Sequence, residues 1–142
     1  YTKRPDMVLP WKKSTFLFYQ YPVHLVTKWR NGLFSSTADL CFGIDKINIK
    51  HTEELIDDDQ YAKLDLGITK SDINPKDCQN YRSCIKLISD DVINLLIDRI
   101  DTNGTVVYLI LLKMIAKAYI DKSTSLNERI QSAWCVVFVC RI

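Results

Sequence analysis

Gly104-Thr105-Val106-Val107-Tyr108-Leu109-Ile110-Leu111-Leu112-Lys113-Met114-Ile115-Ala116-Lys117-Ala118-Tyr119-Ile120-Asp121 is the stretch that decides the fold. Lys113 and Lys117 stand four residues apart, so a helix carries them as one narrow polar stripe on an otherwise apolar cylinder. A helix apolar nearly all round is buried on most sides, which predicts Thr105 to Asp121 as the central helix of a bundle. It is not read as a membrane span, because Val106 to Ile120 is too short and carries two lysines, where a span needs about 20 apolar residues.

The flanking segments repeat the helical theme. Upstream, Asn103-Gly104 breaks the chain, and before it Ser89 is placed as the cap of a helix. Asp90 and Asp91 of that helix suit the positive end of its dipole, and Val92, Ile93, Leu96 and Ile100 form its buried face. Asn74-Pro75 combines a capping residue with proline at a first helical position, and predicts a helix through Tyr81, Cys84, Ile85 and Ile88. Downstream, Ser125-Leu126-Asn127-Glu128 has the spacing of a capping box and starts a helix through Ile130, Trp134, Val137 and Phe138, whose apolar face is still running at Ile142.

Nearer the start, Phe16 to Tyr19 suits a strand, Pro22 opens a helix patterned Val23, Val26, Trp29, Leu33, and Leu40 to Ile44 suits a second strand. Ile47 to Ile56 reads as a short helix running into Asp57-Asp58-Asp59, followed by a loop through Gly67. The expected class is mainly α, a helical bundle with one or two short N-terminal β-strands.

Composition agrees with one folded domain. The 142 residues are 47% hydrophobic and 25% charged, with four Gly and four Pro, which excludes disordered and collagen-like classes. At this size about two-thirds of the unfolded chain's surface is buried on folding, enough for a core without disulfide or metal staples. Five cysteines without a Cys-x-x-Cys pair argue against a secreted disulfide framework and for a reduced, intracellular protein. No zinc-ligand spacing joins them to His24 or His51, and Asp57 to Asp59 diverge around a turn, so no metal site is assigned. The net charge of +2 is unevenly spread. Residues 1–38 hold Lys3, Arg4, Lys12, Lys13, Lys28 and Arg30 against Asp6 alone, a balance of +5 that leaves −3 for the rest. That end suits a polyanion, although lysines on a solvated surface have the same pattern.

Catalytic motifs are missing. There is no Gly-x-Ser-x-Gly, neither histidine has a Ser or Cys placed for a triad, and Gly32, Gly43, Gly67 and Gly104 are scattered rather than gathered into a phosphate loop. Thr69-Lys70-Ser71-Asp72 matches the Thr/Asn-Lys-x-Asp pattern by which GTPases hold guanine, but without the phosphate loop that normally accompanies it.

Pro22-Val23-His24-Leu25-Val26-Thr27-Lys28-Trp29-Arg30-Asn31 resembles the Asp, His, Lys and Arg-Asn signature of P-element-type and THAP-domain transposases. In that family the signature lies where an RNase H-like domain passes into a helical GTP-binding insertion domain. Ile49 to Leu55, Ile68 to Ile73, Val92 to Leu96 and Gly104 to Asp121 are similar, in order, to later segments of that insertion. The resemblance implies that residues 1–38 end an RNase H-like domain and 39–142 form a truncated insertion-like domain, so the chain is read as a piece of a longer polypeptide.

The implied ancestral role is DNA binding at transposon ends and GTP-assisted transposition, in a nuclear or cytoplasmic protein. Lys12, Lys13, His24, Lys28, Arg30 and Asn31 would then face nucleic acid, Lys70 and Asp72 would contact a nucleotide, and GTP with Mg²⁺ would be the cofactors. The signature's leading metal-binding acid falls at Tyr21, whose phenol, with a pKa near 10, is no ligand for Mg²⁺ at neutral pH. No catalytic residue is therefore assigned. Two other readings stand beside this one. His24, Lys28, Arg30 and Asn31 could link their helix to neighbouring elements, with Lys70 in a loop and Asp72 as a cap. The chain as a whole could be a helical protein-interaction module with no nucleic-acid role, docking a partner or its own copy through its apolar faces.

Overall fold

The computed structural model describes residues 7–11, 15–19, 21–35, 39–58 and 66–141. It is mainly helical, with six helices among the described residues. The order is β1 (Met7–Trp11), β2 (Thr15–Tyr19), α1 (Pro22–Gly32), β3 (Cys41–Phe42), β4 (Asp45–Lys46), α2 (Lys50–Ile56), α3 (Tyr81–Leu87), α4 (Asp90–Ile97), α5 (Asn103–Tyr119) and α6 (Leu126–Val139). β1 and β2 form an antiparallel hairpin with Leu9 opposite Leu17, and β3 and β4 form a second, two-residue one. Among the described residues no helix is long and apolar enough to cross a membrane.

α5 is the axis that the lysine stripe predicts. It packs against α1, α4, α6 and β4. Leu109 and Leu112 are fully buried, and Leu111, Ile115 and Ala116 nearly so. Around it α1 contributes Val26, α2 Leu55, α3 Cys84 and Leu87, and α4 Val92 and Leu96, all fully buried. Each such aliphatic side chain contributes roughly 1.5–3 kcal/mol through its removal from water. α1 is fastened to α5 by the Trp29 and Tyr108 rings, 5.3 Å apart, and by the Tyr108 hydroxyl, which donates to the Trp29 carbonyl at 2.7 Å. One turn before Tyr108, Gly104 is a steric necessity. A Cβ there would lie 2.7 Å from the Lys46 carbonyl oxygen and 2.8 Å from that of Asp45.

Helix starts follow local chemistry where a side chain can reach the first turn. Ser89 accepts from the Val92 amide, and Ser125 and Glu128 form the expected reciprocal box. Several boundaries differ from expectation. Leu40 to Ile44 is not one strand, because the chain reverses at Gly43-Ile44 between β3 and β4 with Gly43 at φ 59°, and the helix expected from Ile47 starts at Lys50. Asn74-Pro75 does not start a helix; residues 70–79 form successive turns, and Asn80 caps α3 by accepting from the Ser83 amide at 3.0 Å. Ile100 leaves the buried face of α4, being 88% exposed, because the helix ends at Ile97. There the Thr102 hydroxyl donates to the Leu96 carbonyl at 2.5 Å, and Asp101 turns the chain at φ 62°. The break between α4 and α5 thus precedes Asn103-Gly104, which belong to α5.

Candidate functional site

The polar residues singled out on α1 divide between two environments. His24 and Lys28 are exposed, one helical turn apart. Arg30 is fully buried. Its Nη2 donates to the carbonyls of Asp72 at 2.6 Å and Asn74 at 3.4 Å, and its Nη1 to that of Asp77 at 2.8 Å. The Phe34 ring lies 4.7 Å beneath the guanidinium carbon. Asn31 extends the same grip, its Nδ2 donating to the Cys78 carbonyl at 2.8 Å. The two terminal nitrogens of this guanidinium grip backbone oxygens, and Nη1 also donates to Asn31 Oδ1 at 3.3 Å, while the buried Nε has no hydrogen-bond partner among the described residues; the fork holds a turn-rich segment that has little regular structure of its own.

Asp72 faces the same interior. Its Oδ2 accepts from the Thr69 amide at 3.0 Å, the Thr69 hydroxyl at 2.9 Å and Lys86 Nζ at 2.8 Å, while Oδ1 accepts from the Ser83 hydroxyl at 3.0 Å and from Lys86 at 3.1 Å. Burial alone would push this carboxyl up, but the hydrogen bonds from Lys86, Thr69 and Ser83 outweigh it and hold the group below the usual carboxylate value. A lowered folded-state pKa means stability that is present above the ordinary value of about 3.9 and is lost as pH falls through the folded value. Asp72→Asn is expected to cost about 1–3 kcal/mol at neutral pH. Urea melts should show that difference shrinking at the acid end, where the wild-type carboxyl is itself protonated.

Lys70 points the other way. It forms an ion pair with Asp57 at 2.6 Å across an open cleft of about 610 Å³, lined by Glu53, Asp57, Lys70, Ser71, Ile73, Asn74 and Pro75. Lys70 and Asp72 therefore do not converge. A guanine edge needs a free carboxylate oxygen, and both oxygens of Asp72 are taken inside the fold. Among the described residues no group of three or more His, Cys, Asp or Glu could hold a metal ion. As placed, Lys70 and Asp72 do not form a guanine-binding pair. Lys12 and Lys13 lie outside the described residues, so His24 and Lys28 are the described members of the DNA set that remain free to meet a polyanion.

A different solvent-facing feature lies on α6. On α6, Leu126, Ile130, Trp134, Val137 and Phe138 are between 45% and 72% exposed. At 100° per residue they fall within an arc of about 120°. The side that meets the body carries the smaller Ser132 and Val136, both buried. The Trp134 and Phe138 rings touch, with centroids 5.8 Å apart. From Ile130 through Cys140 α6 and its cap contain no charged residue. The sequence marks this stripe as apolar; the direction it faces is set by the packing of α6 against α5 through the side that carries Ser132 and Val136.

No protein-family model matches the chain, nor does any curated protein or solved structure.

Proposed function

We propose that this chain is a helical protein-interaction module whose working surface is the outward face of α6, offered to an apolar helix. The observation that carries the reading is the exposure of Leu126, Ile130, Trp134, Val137 and Phe138 on one side of one helix. Five large apolar side chains there expose on the order of 500 Å², about the largest patch an ordinary monomer shows, and often a functional one. An environment-sensitive apolar dye should bind the dilute chain and be lost in Trp134→Glu or Phe138→Glu with unchanged far-ultraviolet circular dichroism. A wild-type chain that leaves the dye dark contradicts the reading.

A second reading has its own support. The exposed pair His24 and Lys28, together with the +5 balance of residues 1–38, favours a transposase-derived piece whose ancestral role was DNA binding. Under it, fluorescence anisotropy at low salt should report weak duplex binding that falls as Lys12, Lys13 and Lys28 are neutralised and as salt rises. Binding indifferent to those changes removes it. The GTP part of that reading requires Asp72 to leave its present partners, and calorimetric titration with GTP against ATP tests it. Guanine-selective heat would favour the insertion-domain assignment over the interaction module.

A further inference from the structure

We infer that the occupant of the α6 face is a second copy of this chain, paired antiparallel about a two-fold axis near Trp134; this rests on reading that face as a docking surface.

The pattern along α6 is its own complement in that arrangement. With Trp134 at the axis, Ile130 of one copy lies beside Phe138 of the other, so a smaller aliphatic side chain meets a ring on each side of the centre. The run from Ile130 to Cys140 brings no charge into the contact, and no ionised group has to be desolvated. Glu128, at the start of α6, lies off the stripe, closing its own capping box with Ser125 and standing 3.8 Å from Lys117, so the pairing rests on the apolar side chains. A parallel pair would instead place Ile130 beside Ile130 and Phe138 beside Phe138. With on the order of 500 Å² from each copy, the contact buries about 1,000 Å², the low end of specific interfaces. A reversible dimer with micromolar or weaker affinity is the result.

Analytical ultracentrifugation of the full chain over a wide concentration series tests this. Wild type should pass from monomer to dimer mass, and Phe138→Glu and Ile130→Lys should each remain monomeric with unchanged helix content. Mixing those two variants should restore the dimer, because antiparallel pairing sets the introduced lysine of one copy beside the introduced glutamate of the other, whereas a parallel pair leaves both unmatched. Wild type that stays monomeric at the highest concentration, or a mixture that fails to associate, overturns the self-pairing. Monomeric wild type that still binds the apolar dye leaves the docking surface standing with a different occupant. Monomeric wild type that binds no dye removes both.

Discussion

Arg30→Ala should destabilise the fold by about 3–5 kcal/mol, a loss comparable with the whole stability of many small domains. The replaced guanidinium is fully buried, and its two Nη groups donate to the carbonyls of Asp72, Asn74 and Asp77. Truncation leaves those oxygens without donors, opens a void beside Phe34, and frees the segment from residue 68 to 80 that α1 now holds in place. Arg30→Lys should recover little, because a compact ammonium cannot reproduce a planar fork that spans three acceptors. Chemical denaturation followed by circular dichroism measures the loss. A change below about 1 kcal/mol, the scale of an ordinary surface substitution, would show that the clamp is not a structural necessity. For the same reason Arg30 is left out of the DNA-binding variants, since its loss acts on the fold first.

Leu112→Ala should cost about 2–5 kcal/mol. Leu112 is fully buried midway along α5, the helix that touches α1, α4 and α6, so the cavity left behind has packed elements on several sides and little room to collapse. Val107, on the same helix but 38% exposed, supplies the control, and Val107→Ala should cost under about 1 kcal/mol. Equal losses at the two positions would contradict the orientation assigned to α5.

Much of this architecture is legible in local sequence. The spacing of Lys113 and Lys117 marks α5, Ser89 and the box of Ser125 with Glu128 mark two helix starts, and Pro22 marks a third. The misplaced start at Asn74-Pro75 has a long-range cause. Asn74 does use its side chain as a capping residue would, accepting from the Lys76 amide at 3.0 Å, but the result is a turn. The carbonyls of Asp72, Asn74 and Asp77 bind a guanidinium from α1 more than forty residues away. No window of sequence around Asn74 contains that arginine. Ile100 fails for a nearer reason. Its spacing continues the apolar period of α4, but the Thr102 hydroxyl takes the Leu96 carbonyl and ends the helix first.

The candidate site was only partly legible. Arg30, Asn31 and Asp72 stand out in the sequence as polar groups in unusual company, and the structure gives all three specific partners, but those partners are backbone and side-chain groups of the fold itself. Burial, which separates a ligand contact from a structural clamp, is a tertiary property. The outward stripe of α6 is the converse case. Its residues are plain in the sequence as an apolar face, while the choice of Ser132 and Val136 as the side turned to the body is made by the packing of α6 on α5, a tertiary contact.

The most direct test of that outward face is the emission of Trp134 in a chain carrying Trp11→Phe and Trp29→Phe, recorded against protein concentration with a neutral quencher present. In dilute protein the indole should emit as a solvent-exposed group and be readily quenched, then shift to the blue and become protected as copies pair. Emission that is blue and protected from the most dilute sample onward would contradict the account, because Trp134 would then lie within the folded monomer.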